Sequence, residues 1–340
     1  MSAADVTRQG LRGTRPGREA RPGREARRRG RRGEQAMVPP AEFTSYYGRP
    51  VINSPVWRSP DIPGYLFLGG LAGGSSLLGA GAQATGRPAL ARTAKAGALG
   101  AISLSLAALA HDLGRPARFL NMLRMFKVTS PMSVGSWLLA GYAPAVGVAA
   151  ASALTGRVPR LGAVASAAAA LAGPAVAAYT GVLFSDTAVP AWHEGFREMP
   201  FVFVGSAATA AGGLGLLAAP AGQNAPARNL ALLGVAAEAA AFELMTRRMG
   251  MVAEPYTTGR SGAYLQAGRV LSAAGAAGAV IGRRNRAVAA LSGAALLGAS
   301  AATRWAVFHA GLASAADPKY TVVPQRQRRD GGGAAPARAN

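Results

Sequence analysis

HDLGRPARFLNMLRMFKVTSPMSVGSW, His111–Trp137, decides how the rest of the chain is read. Ala96–Ala110 before it and Leu138–Thr155 after it carry no charge at all. Between them the connection holds Asp112, three arginines, Lys127 and two prolines. A soluble domain spreads its charge over every element, whereas a membrane protein confines charge to the ends of its spans. Within the connection, GRP (Gly114–Pro116) breaks one helix. Phe119, Met122, Leu123 and Phe126 then recur at i, i+3, i+4 and i+7, which predicts an amphipathic helix over Ala117–Phe126, lying along the interface. Arg118 and Arg124 occupy its charged face, and Lys127 follows its end. Ser130 suits the N-cap and Pro131 the first turn of the next span.

Working outward, stretches of roughly 20 apolar residues recur along the 340-residue chain. Eight spans are expected: 62–85, 96–111, 131–155, 161–185, 200–220, 230–246, 263–282 and 287–311. The chain is therefore read as an all-α integral membrane protein with about eight transmembrane helices in a bundle. Hydrophobic residues make up 50% and charged residues 15%, against about 25% charged in soluble domains. GGLAGGSSLLGAGA (Gly69–Ala82) lacks the lysine and the preceding strand of a phosphate loop, so close helix packing is its expected use.

The net charge of +22 does not point to nucleic acid, because much of it lies in one tail. Residues 1–42 carry 11 arginines and 5 acids, including the repeat RPGREA-RPGREA, and are expected to be disordered. Residues 313–340 are expected to form a second disordered polar tail, with the membrane domain at 43–312. Residues 1–36 are read as upstream of a true start at Met37.

Eight spans return both ends to one side, here called the N side. Its connections, 111–130, 186–199 and 247–262, are long and chemically mixed. Those on the opposite side, 86–95, 156–160, 221–229 and 283–286, are short. From residue 43 to 312 the two sides carry 10 and 9 basic residues, so charge asymmetry assigns no orientation. At about 1.5 Å per residue, Asp61, His111, Asp112, Tyr179 and Ser185 all fall at the N-side end. Glu243 is expected to pair with Arg269 or Arg304, while Glu238, nearer the midplane, has no evident partner. Trp192 is read as an interfacial anchor.

LGRPARFLNMLRMFKVTSPMSVGSW and YTGVLFSDTAVPAW (Tyr179–Trp192), in that order, resemble the NrfD/PsrC family, and YLFLGGLAGGSSLL (Tyr65–Leu78) resembles its first span. The resemblance covers residues 43–312. It implies a quinone/quinol-binding membrane subunit, working with menaquinone or ubiquinone. The implied partners are a four-cluster iron–sulfur subunit and a molybdopterin catalytic subunit, in a bacterial inner membrane. The absence of cysteine excludes iron–sulfur clusters ligated by cysteines of this chain, and three histidines cannot supply four axial ligands to two haems. No metal site is expected. The resemblance points to Tyr179 as a quinone contact and to Asp112, or His111 beside it, as the base. Arg115 and Arg118 are candidates to stabilise the quinone head, and Ser133, Ser136 and Ser185 to line the pocket. Asp61 and Tyr65 are the nearest polar groups of span one. A proton-coupled secondary transporter is the alternative reading. A lipid-modifying enzyme using Asp112, His111 and His193 is a third, without a convincing nucleophile.

Overall fold

The computed structural model describes residues 5–7, 10–12, 50–113 and 121–332. The chain divides into two units, Pro55–Ser314 and a second made of Met1–Ser54 with Ala315–Asn340. The second unit holds a short antiparallel pair, β1 (Asp5–Thr7) with β2 (Gly10–Arg12), and a helix, Lys319–Gly332. Both elements fall inside tails that composition alone reads as structureless. DVT and the VV of KYTVVP contribute β-branched and apolar residues that a charge count overlooks.

Eight long helices build the other unit: α1 (Asp61–Ala84), α2 (Pro88–Asp112), α3 (Pro131–Thr155), α4 (Pro159–Ser185), α5 (Met199–Ala218), α6 (Ala225–Met249), α7 (Gly259–Ile281) and α8 (Arg286–Ala316). The last continues two residues past the unit's boundary. Among the described residues seven helices are long and apolar enough to cross a membrane, the sixth counted through Thr257. The exception is α7, which has the length, 23 residues, but carries Arg260 and Arg269. This agrees with the eight-span reading of the sequence.

Helix starts follow local chemistry. Proline opens α2, α3 and α4, where a missing N–H costs nothing. The Ser130 hydroxyl accepts from the Ser133 N–H, as the sequence predicts for an N-cap. Gly156, at φ 72°, ends α3 in the left-handed conformation.

Two local expectations are corrected. The 86–95 connection is mostly helix, because α2 begins at Pro88 and takes Lys95 inside it. Of the amphipathic helix expected over 117–126, the described residues carry helix at Asn121, while Met122–Leu123 are turn, Arg124 is a bend and Met125–Phe126 have no regular structure. Residues 114–120, with Arg115 and Arg118, lie outside the described residues. The cause is competition from α3: the Met125 carbonyl accepts from both Ser133 Oγ and Trp137 Nε1, and the Lys127 N–H donates to Ser133 Oγ. These bonds hold the segment against the start of α3 in place of an intrahelical ladder.

The first helix is the hub, packing on α2, α4 and α5. The contact with α4 is backbone on backbone. A Cβ on Gly73 would come within 2.3 Å of the Gly173 carbonyl oxygen, so neither position accepts a side chain. In lipid, such close approach maximises dispersion where water supplies no driving force. The glycine-rich run of span one is thus used for packing, as its sequence predicts.

Candidate functional site

The polar groups of interest sit where α1, α2, α3 and α4 reach the N side. Asp61 opens α1 and His111 closes α2, and antiparallel packing brings them together with His111 Nδ1 2.9 Å from Asp61 Oδ2. The carboxylate is mostly covered while the imidazole is exposed, with side-chain accessibilities of 19% and 79%. One end of the pair thus faces protein and the other water. Asp112 follows, partly buried, without a hydrogen bond among the described residues.

Tyr179 lies flat against α3. Gly135 makes this possible: a Cβ there would fall 2.1 Å from Tyr179 Cε2. The ring is held by that glycine, and its hydroxyl makes no hydrogen bond among the described residues. By contrast the neighbouring hydroxyls are engaged. Ser136 donates to the Met132 carbonyl, Ser185 to Gly181 and Ser133 to Met125. Tyr65 is buried, 3% exposed, and its carbonyl accepts from Ser105.

Beyond α4 the chain makes a single helical turn at Pro190–His193. Trp192 is no interfacial anchor. It is fully buried, its Nε1 donates to the Val307 carbonyl at 2.7 Å, and its ring stacks on Phe184 with centroids 4.3 Å apart and planes 1° apart. Trp57 lies 5.3 Å from Phe184 and 5.5 Å from Trp192, completing an aromatic stack that sequence reading missed. The helical turn draws Trp192 inward: the Ala191 N–H donates to Ser314, the Ala191 carbonyl accepts from Tyr256, and His193 Nδ1 contacts the Ser185 carbonyl at 3.0 Å. With Nδ1 protonated the imidazole donates in this last contact.

The interior charges pair differently from expectation. Glu243 bonds Arg247 one turn along its own helix at 2.7 Å, both side chains exposed, because i, i+4 spacing makes the local partner the nearer one. The Arg269 guanidinium lies 6.0 Å from the Phe242 ring. Arg304 is fully buried, donates from Nη2 to the Phe203 carbonyl at 2.8 Å and sits 3.8 Å over the Phe203 ring. Glu238 acts on it electrostatically without a direct ion pair between them, and the side chains of Thr303, Ser206 and Thr209 lie beside that carboxyl. Arg304 Nε and Nη1 and Glu238 Oε2 are buried without hydrogen-bond partners.

A second ionic pair was invisible to hydropathy. Arg248, at the end of α6, forks onto Glu198 just before α5, with Nε–Oε1 at 2.8 Å and Nη2–Oε2 at 2.6 Å. The bond to Arg248 holds the Glu198 carboxyl below its ordinary range.

These features define a multi-pass, all-helical membrane protein. It has a tyrosine hydroxyl, two acids and a histidine at its N-side end, beside a buried aromatic stack. A model of the polysulphide reductase NrfD family matches residues 51–258, and the chain belongs to that family. The match spans α1 to α6 and so includes each of those site residues. No curated protein matches the chain.

Proposed function

We propose that the chain is the quinone-reactive membrane subunit of a respiratory oxidoreductase complex in a bacterial cell membrane. In this reading it exchanges electrons with an iron–sulfur partner that serves a molybdopterin subunit. A bound quinol supplies two electrons and two protons. The chemistry asked of the chain is then a donor for a carbonyl oxygen, an acceptor for a proton and an outlet to water.

The observation that carries the reading is Tyr179. Its ring is fixed by Gly135 and its hydroxyl makes no hydrogen bond among the described residues, while the serines around it are bonded to backbone. Asp112 has no hydrogen-bond partner among the described residues and serves as the proton acceptor. Asp61 and His111 form the outlet, since the exposed imidazole can pass a proton from the covered carboxylate to water. The residues present therefore fit a quinone head, with hydroxyl, carboxyl and imidazole as the polar set.

The experiment is quinol oxidation by the complex purified from native membranes. Tyr179→Phe is expected to lower turnover at least about tenfold, the scale of one lost hydrogen bond. Asp112→Asn is expected to lower it about a hundredfold. Full turnover in both variants, with the complex intact, would overturn the site assignment. The partner is tested separately by electron paramagnetic resonance of the reduced complex. The chain has no cysteine, so iron–sulfur signals there come from a bound subunit.

A further inference from the structure

We propose that Lys95 and the small cavity beside it form a proton-exchange site open to the opposite side of the membrane, in the other half of the bundle from Tyr179. The sequence has three lysines, and Lys95 is the one carried within a spanning helix. It lies seven residues into α2, about 10 Å from that helix's opposite-side start. It is 7% exposed.

Three observations support the site. First, among the described residues the ammonium has no carboxylate to pair with. The facing stretches of α1, α3, α4 and α5 carry no acidic residue, and the titratable side chain they contribute is Tyr142. Of the neighbouring cations on α2 and just before it, Arg92 donates to the Pro88 carbonyl and Arg87 to the Thr85 carbonyl, both exposed. Second, Lys95 Nζ donates to Gln83, whose side chain is exposed at the end of α1. That amide links the buried nitrogen to the surface.

Third, Lys95 borders a cavity of about 190 Å³ counted to its open mouth, with room inside for about one water molecule. Ser76 and Ser166 supply its other polar lining, and Ala98, Val146 and Ala169 part of its apolar walls. Ser166 is buried, and its hydroxyl has no hydrogen bond among the described residues. Ser76 shares a 2.7 Å hydrogen bond with Tyr142 at the inner end. A water in this cavity therefore meets two hydroxyls and an amine, enough partners to be held. Gln83, Lys95, this water, Ser166 and the Ser76–Tyr142 pair form a polar path from the surface, reaching about 12 Å in from the opposite-side end of α1 and stopping about 22 Å short of its N-side end.

The step is simple. An N–H bond at Lys95 Nζ breaks, the nitrogen keeps the electron pair, and the proton leaves through water at Gln83 to the opposite aqueous phase. Uptake reverses it. Because Nζ lies within the membrane's thickness, each event moves charge part of the way across the bilayer.

That displacement is measurable without quinone or partner subunits, so the result is independent of the function proposed above. The full chain in liposomes on a solid-supported membrane is given a step in external pH, and the transient current is recorded. Lys95→Arg is the decisive variant. It keeps the charge and a donor for Gln83, but a guanidinium does not release its proton in this range. The wild-type chain is expected to give a transient, and Lys95→Arg to lose at least about four-fifths of the charge moved. Lys95→Met, checked for native helicity by circular dichroism, is expected to lose as much and serves if the arginine disturbs folding. An absent wild-type transient overturns the proposal. So does a Lys95→Arg or Lys95→Met transient of wild-type size, which would leave Lys95 as a side chain reaching toward the interface to bond Gln83.

Discussion

Two glutamate–arginine couples in this molecule, one in direct contact and one acting without it, use the same charges in opposite surroundings. Glu198–Arg248 joins the start of α5 to the end of α6 at the N-side surface, with side-chain accessibilities of 16% for the acid and 28% for the base. Both carboxylate oxygens are bonded in a bidentate fork. Glu238 and Arg304 lie inside the bundle, 7% and 0% exposed, and three of their polar atoms have no partner. The surface pair is satisfied by geometry. The interior pair stands on mutual attraction in a medium of low dielectric, with Phe203 taking up part of the arginine. Burial therefore inverts the usual ranking: the better-formed pair is the weaker contributor, and the poorly satisfied one is the more costly to break.

The largest test of that ranking removes one member of the interior pair. Arg304→Leu leaves the Glu238 carboxyl without its counter-charge and is expected to destabilise the chain by about 3–5 kcal/mol. Reversible unfolding in mixed detergent micelles reads this directly. The companion double variant, Arg304→Leu with Glu238→Leu, removes both charges and is expected to recover most of the loss. If the single variant costs less than about 1 kcal/mol, the two groups are not energetically coupled and the comparison fails.

A finer test separates charge from shape. Arg304→Lys retains the positive charge but gives up the planar contact over Phe203 and the fork's reach to the Phe203 carbonyl. About 1–2 kcal/mol is expected, between the leucine variant and wild type. A loss as large as that of Arg304→Leu would show that geometry, not charge, governs the site.

The same contrast explains what the sequence could and could not reveal. Spans were legible because apolar runs of membrane length are a one-dimensional signal, and the polar N-side end followed from depth along each helix. The Asp61–His111 contact lies at two predicted span ends, so antiparallel packing of neighbours is enough to join them. Pairing across non-neighbouring helices was not legible. Glu243, Arg269 and Arg304 share a depth, yet depth leaves rotation about the helix axis free, and rotation sends Glu243 to Arg247 and Arg304 to Glu238. Trp192 was misplaced for the same reason: its position near a span end suits an interface residue, and only the turn at Pro190–His193 carries it inward. The sequence assigns Lys95 to a short connection because a charged residue looks like a span boundary, whereas α2 begins seven residues earlier.

The smallest effect belongs to the surface pair, and pH brings it out. The bond to Arg248 lowers the Glu198 carboxyl's pKa in the folded chain relative to an ordinary glutamate near 4.3. A depressed folded value means that the unfolded chain binds the proton more tightly. The stabilisation is therefore fully present above the unfolded value and is lost as pH falls through the folded one. Glu198→Gln removes it, and at neutral pH the cost is expected to be no more than about 1 kcal/mol. As pH falls from the unfolded value through the folded one, wild type and variant are expected to draw together in unfolding midpoint. A gap that persists undiminished to pH 3 would mean that Glu198 acts through packing instead of charge. The surface pair would then differ from the interior one in kind, resting on packing where the interior one rests on charge.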